Sequence, residues 1–329
     1  MTELDFFRGL IAFLPAMILV YFFVEQDLPL KRWVGGLFAT IWQFQWRLIL
    51  WAGGVELGLW QFKTDQMLFL NVPIDIVLGF ALLLGFLPRI VMKALFKTSN
   101  PIILLVILFI VEFDLIIIFL PIRSFTSGSD YWLLLIASLA IVPSVFLAHW
   151  TEQSEHVYLR SLLQNTSWAI LLLWLFPSII FHYTMDSWQP FLDLVLEGDF
   201  LTKFLYLSPL VIPAVLILNA LYVFAKQGQG TGFPYDAPKY LVTTGIYRYI
   251  SNPMQLGIVL MMSFWGVILQ STYVLVSAAV AFVLFLVFKN VCNGSCQLGV
   301  TDPEWEKYQA RTPKWIPIML GKNGRTGGK

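Results

Sequence analysis

Runs of about 20 predominantly apolar residues recur along this chain, and nothing else in it restricts the fold so strongly. A helix needs about that length to cross the hydrocarbon core of a bilayer. Such runs lie near 8–25, 34–52, 70–88, 101–121, 131–149, 165–184, 205–225, 254–270 and 271–289. The second is the weakest, because "IWQFQWRLIL" places Arg47 and two Gln inside it. A segment like that lies at the interface or lines a protected cavity. The expectation is an all-α polytopic membrane protein with eight or nine transmembrane helices. Composition agrees: 58% of the residues are hydrophobic and 12% charged, against about 25% charged in soluble domains.

The net charge of +1, with no basic stripe, gives no electrostatic case for a nucleic-acid partner. The opening "MTELDFFRGL" carries two acids and one Arg rather than a basic stretch leading to a small-residue cleavage site. The first apolar run therefore reads as a retained span. The segments 87–100 and 226–252 are basic, the latter through Lys226, Lys239 and Arg248, and so is the tail beyond Lys289. The loop 185–200 is acidic and has no Lys or Arg. With nine spans the basic segments share one side, which the positive-inside rule assigns to the cytoplasm.

Asp75, Glu112 and Asp114 fall within apolar runs. A charge at bilayer centre costs about 2.5–3.5 kcal/mol even on the mildest scale, so local pairing is expected. A polar transport pathway through these acids and Arg47 is the rival reading. It would be supported by a paired inverted repeat, and the sequence shows none. Cys292 and Cys296 form a lone C-x3-C without a nearby His, a poor zinc site, and no metal is expected.

Special residues crowd the chain after position 226. "KQGQGTGFPYDAPKYLVTTGIYRYISNPMQLG" reads mostly as loop by its turn chemistry. "GQGTG" follows no strand and lacks the Lys-Ser/Thr of a phosphate-binding loop. "SNPM" reads as a helix start, with Asn252 as N-cap and Pro253 as first helical residue. The free N–H groups of such a helix start suit a carboxylate or phosphate. Gly257, one turn in, permits close approach of a helix or a ligand. "TDPEWEKYQARTPKWIP" predicts a short helix from Pro303, with Trp305 and Tyr308 on one face and Arg311 a turn on. Interfacial anchoring accounts equally well for Trp305 and Trp315 taken singly.

"LVTTGIYRYISNPMQLG", a membrane hairpin and "EWEKYQARTPKWIP" together resemble the C-terminal core of the integral-membrane methyltransferases. That group includes isoprenylcysteine carboxyl methyltransferases and phospholipid N-methyltransferases. The resemblance covers about 205–317 and divides the chain into an unassigned helical bundle (1–200), a methyltransferase-like core (201–320) and a flexible tail (321–329). It implies S-adenosyl-L-methionine as cofactor and a lipid or lipid-linked acceptor from the bilayer. Leu241, Val242, Gly245 and Tyr247 match the loop that borders the cofactor in the family. Asn252 and Pro253 stand where the family has His-Pro or Asn-Pro, and Gly257 matches the small residue behind them. Trp305 and Tyr308 match the aromatic pair that helps close over the cofactor, and Arg311 matches an Arg near the reacting centre. Arg311 and Asn252 are the catalytic candidates this implies.

Three departures stand out. Ser251 replaces a usual Arg, Gln255 replaces a frequent Tyr, and the acidic pair expected after the last span is missing around Asn293 and Gly294. A shifted role for Glu304 or Glu306, or a non-catalytic scaffold with a degenerate core, would each account for that loss.

Overall fold

The computed structural model describes residues 3–25, 29–62, 67–96, 100–118, 123–125, 129–231, 238–291 and 303–315. Two compact units are present. The first comprises Met1–His156 with Leu162–Ile170, and the second comprises Val157–Ser161 with Leu171–Lys329.

The first unit contains α1 (Glu3–Glu25), α2 (Leu30–Glu56), α3 (Ile74–Ala81), α4 (Leu87–Phe96), α5 (Pro101–Ile118), α6 (Ser129–Ile136) and α7 (Val142–Gln153). It also holds the larger part of α8 (Val157–Ile170). Two short antiparallel pairs are the only strands among the described residues: β1 (Trp60–Phe62) with β4 (Arg123–Phe125), and β2 (Leu68–Phe69) with β3 (Val72–Pro73). The second unit continues with α9 (Phe176–Tyr183), α10 (Gln189–Leu196), α11 (Phe200–Leu207), α12 (Val211–Val223), α13 (Pro253–Ile268), α14 (Thr272–Val291) and α15 (Pro303–Arg311).

Several of these helices are continuous through π-turns at Leu82–Phe86, Ala137–Ile141 and Leu171–Leu175, and a fourth π-turn at Phe224–Gly228 ends the helix begun by α12. Three of the turns have a physical cause two residues downstream, at Pro88, Pro143 and Pro177. A proline inside a helix lacks the N–H for the i−4 carbonyl and its ring clashes with that carbonyl. Widening the preceding turn relieves the clash while the helix runs on. The continuous stretches Ile74–Val91, Tyr131–Gln153, Val157–Tyr183 and Phe200–Gly228 are long and apolar enough to cross a membrane. Arg8–Tyr21, Pro253–Ile268 and Thr272–Val287 are shorter apolar helices. The architecture is thus that of an all-α membrane protein, with four full-length candidate spans among the described residues.

The weakest apolar run becomes the centre of the first unit. α2 packs along α7, where a Cβ at Gly35 would lie 2.8 Å from the Ala148 carbonyl oxygen. Small residues of this kind let helix backbones approach in a bilayer. Two of the three acids in the apolar runs, Asp75 and Glu112, are paired. Asp75, in the first turn of α3, receives Arg8 at 2.9 Å. Glu112 receives Arg47 through two bonds, Nη1 to Oε1 at 2.8 Å and Nη2 to Oε2 at 2.6 Å. Arg47 Nε donates to Gln43 Oε1 at 3.0 Å, and Gln43 Nε2 donates to Ser144 Oγ at 2.9 Å. A bidentate pair with its remaining groups hydrogen-bonded is the arrangement in which buried charge is tolerated. Asp114, two residues on, is exposed.

In the second unit α13 and α14 form the expected tight hairpin, linked by 269–271. Gln270 takes a left-handed conformation, with φ of 52°. The Ser271 hydroxyl donates to Asp186 and receives the Val274 N–H at 3.3 Å, capping α14. Trp265 of α13 donates its indole N–H to the Leu173 carbonyl at 2.8 Å and packs against Trp188 and Phe191.

Candidate functional site

The segment between α12 and α13 is folded on two apolar anchors. Val242 and Tyr247 are buried in a cluster with Ala220 and Val223 of α12, flanked by Phe224, Ile246 and Met254. Leu241, beside Val242, is half-buried. A short 3-10 turn at Gly245–Arg248 carries Tyr247 into this cluster. Gly245 begins it with φ of +59°, and a Cβ there would stand 2.9 Å from Val223 Cγ2. Both the left-handed backbone and the close wall require glycine at this position. At the other end of the loop, Gly228 packs under Pro238 and Val242, and its carbonyl accepts the Lys239 N–H at 2.7 Å.

α13 starts at Pro253, as the sequence indicates. Asn252 occupies the N-cap position, but its side chain makes no capping hydrogen bond to the helix. The capping role expected for this residue is therefore not what holds it. Asn252 is buried, and its backbone carbonyl accepts from Leu256 N at 3.1 Å within the turn. Gly257 serves helix packing: a Cβ would fall 2.5 Å from Ile217 Cγ1 of α12 and 3.3 Å from the Pro213 carbonyl oxygen.

α15 and the residues after it lie across this segment as a strap. The Tyr308 hydroxyl donates to the Tyr247 carbonyl at 2.7 Å, and both residues are buried. Ser251 N–H donates to the Pro313 carbonyl at 2.9 Å. Trp305 is half-buried and packs on Tyr308, with ring centroids 5.7 Å apart. Trp315 packs edge-on against Phe282 of α14 at 5.0 Å. Burial pushes the Tyr308 phenol up to about 12, and pushes the Tyr247 phenol up as well. Both remain neutral across the ordinary pH range.

The fold thus brings Val242, Tyr247, Asn252, Pro253, Trp305 and Tyr308 to one place. Gly245 and Gly257 shape it from behind. Arg311 and Lys307 lie exposed on α15, and Arg248 and Lys314 are exposed as well. Cys292, Asn293, Gly294, Cys296 and Asp302 lie outside the described residues, as do the side chains of Glu304 and Glu306. Among the described residues no cluster of His, Cys, Asp or Glu could hold a metal.

Four polar groups missing from the sequence-based set appear on these same segments. Ser251 Oγ, Gln255 Oε1, Thr231 Oγ1 and Trp315 Nε1 are each buried without a hydrogen-bond partner among the described residues. Ser251 and Gln255 are two of the three departures from the family pattern. Each unpartnered buried group costs about 1–3 kcal/mol, so native proteins keep few of them. Of these, Ser251 and Gln255 lie at the head of α13; neutral groups of this kind suit a polar cofactor bearing hydroxyl, amino and carboxylate groups, and in this respect S-adenosyl-L-methionine, which the resemblance implies, fits them.

No curated protein and no solved structure matches the chain. Residues 204–293, from α11 to just beyond α14, match the model of the phospholipid methyltransferase family, in agreement with the resemblance to the integral-membrane methyltransferases.

Proposed function

We propose that this protein transfers a methyl group from S-adenosyl-L-methionine to a lipid or lipid-linked acceptor at the cytoplasmic face of a membrane. The observation that carries the reading is the set of buried, unpartnered polar atoms at Ser251, Gln255, Thr231 and Trp315, on or beside the stretch that matches the methyltransferase family.

The cofactor supplies an activated sulfonium methyl, and the protein binds, orients and excludes water. The residues divide that work. Ser251, Asn252 and Gln255 at the head of α13, with Thr231 and Trp315, hold the cofactor's polar groups. The partial positive charge at the α13 N-terminus favours its carboxylate. Leu241, Val242 and Tyr247 form the apolar wall, and Trp305 and Tyr308 on the strap limit access of water. Holding the reacting atoms about 3–3.5 Å apart provides several kcal/mol of the acceleration without a covalent nucleophile. Arg311, exposed at the edge of the strap, orients an anionic acceptor such as a carboxylate or phosphate. An amine acceptor needs a base, for which Glu304 and Glu306 are the nearby acids in sequence.

The acceptor reaches the site laterally from the bilayer, and the cofactor from the cytoplasm. The basic segments support this orientation. Eight or nine spans remain our reading of the full topology. The test is incubation of purified protein with methyl-tritiated cofactor and a total lipid extract. Label entering the organic phase with wild-type protein, and lost with Asn252→Ala, supports the proposal. An absence of transfer to every lipid fraction by folded, cofactor-binding protein would refute the activity while leaving the binding site intact.

A further inference from the structure

The first unit contains a second set of buried polar groups, on the face of α2 opposite the Arg47–Glu112 pair. Gln43 and Arg47 are four residues apart and share a face, and Gln45 lies between them on the other side. Gln45, Gln164 and Ser167 are all buried, at 0%, 0% and 1% exposure. The two helices are joined by a hydrogen bond in which Gln45 Nε2 donates to the Ser167 carbonyl at 2.9 Å. Gln164 precedes Ser167 by three positions on α8 and so shares its face.

Gln45 Oε1, both amide atoms of Gln164 and Ser167 Oγ have no hydrogen-bond partner among the described residues. Exchanging the oxygen and nitrogen of the Gln164 amide changes nothing, since neither atom is satisfied. Ser167 is unusual in a further way. Hydroxyls in membrane helices commonly bond back to the carbonyl four residues earlier, as Thr40, Thr151, Thr166 and Ser178 do here. Ser167 does not.

The Arg47–Glu112 network, by contrast, is closed on itself and calls for no ligand. The α2–α8 set is neutral and offers donors and acceptors in comparable number. An ion would leave half of these groups opposed to its charge. A hydroxyl both donates and accepts. Water is the usual occupant of such places in protein interiors, where it makes about three hydrogen bonds to otherwise unsatisfied groups.

We propose that Gln45, Gln164 and Ser167 form a buried hydroxyl-binding site between α2 and α8, filled by ordered water or by the hydroxyl of a membrane lipid. This is independent of the methyltransferase reading, because none of the three residues belongs to the unit that carries it.

The test compares wild-type full-length protein with Gln164→Met, an unbranched and nearly isosteric change, by thermal unfolding in delipidated detergent with and without dioleoylglycerol. Occupied by a hydroxyl, the site loses hydrogen bonds in the variant, and the midpoint falls by about 3 °C or more. If dioleoylglycerol raises the wild-type midpoint but not that of the variant, the hydroxyl comes from a lipid. If the diacylglycerol is without effect and the variant is still destabilised, it comes from water. An unchanged or higher midpoint for Gln164→Met would overturn the proposal, since removing an amide that bonds nothing relieves its desolvation cost. Should that variant fail to fold, Ser167→Ala carries the same test with the same signs.

Discussion

Replacing Tyr308 by Phe removes a single oxygen from the strap. The ring stays in place against Trp305, so the change isolates the hydrogen bond to the Tyr247 carbonyl at 2.7 Å. Both residues are at most 8% exposed, and water does not readily take over the bond. Leaving a buried carbonyl without its donor costs about 1–3 kcal/mol. If strap docking and cofactor binding are one equilibrium, that range weakens binding by about 5-fold to 150-fold. Calorimetric titration of S-adenosylhomocysteine into wild type and Tyr308→Phe measures it, with hydrogen exchange of 303–315 as a second readout. The exchange rate should rise in step with the loss of affinity. The phenol adds a pH signature. Burial raises it from the ordinary value near 10 to about 12, so the folded state favours the protonated donor. Its contribution is complete below about pH 10 and is lost as pH rises through about 12. Wild-type affinity should therefore be insensitive to this group from about pH 6 to 9. Unchanged affinity together with unchanged exchange in Tyr308→Phe would refute the role given to the strap.

Other perturbations follow from the same geometry. Gly257→Ala places a Cβ 2.5 Å from Ile217 Cγ1 and should lower the thermal midpoint through about 1–3 kcal/mol of overpacking; Ile217→Val in the same chain should recover part of the loss. Gly245→Ala meets both a left-handed backbone and Val223, with the backbone alone costing about 1–2 kcal/mol, and should weaken S-adenosylhomocysteine binding in calorimetry. Glu112→Gln leaves Arg47 buried without its counter-charge and should destabilise the first unit by about 3–5 kcal/mol in denaturation, whereas the double change Arg47→Met with Glu112→Leu should be far milder.

Much of the site could be read in the sequence because its markers are short-range. Proline fixes where α13 and α15 start, and glycine at 245 marks a backbone that other residues resist. The spacing of Trp305 and Tyr308 puts both rings on one helix face. Burial is different, because it depends on segments distant in the chain. Ser251 and Gln255 looked like losses relative to the family pattern, yet they are buried polar groups at the head of α13. Trp315 could pass for an interfacial anchor until its packing on Phe282 was seen. Asn252 was expected to cap α13 and does not, because local capping propensity is overridden where the side chain is drawn into a packed site. Gly257 was compatible with a helix or a ligand behind it, and Ile217 of α12 is what lies there. In the first unit a hydropathy window marked α2 as the weakest run. The polar residues responsible, Gln43, Gln45 and Arg47, are fully buried. A window averages over a helix and cannot see that its polar groups find partners on neighbouring helices.

The central claim is that the head of α13 and the α15 strap hold S-adenosyl-L-methionine. Calorimetric titration of S-adenosyl-L-methionine and S-adenosylhomocysteine into folded, detergent-purified protein tests it most directly, with Asn252→Ala beside the wild type. The account predicts saturable one-site binding with Kd of about 1–100 μM, or roughly 5–8 kcal/mol, weakened in the variant. Folded wild-type protein that binds neither compound would contradict it.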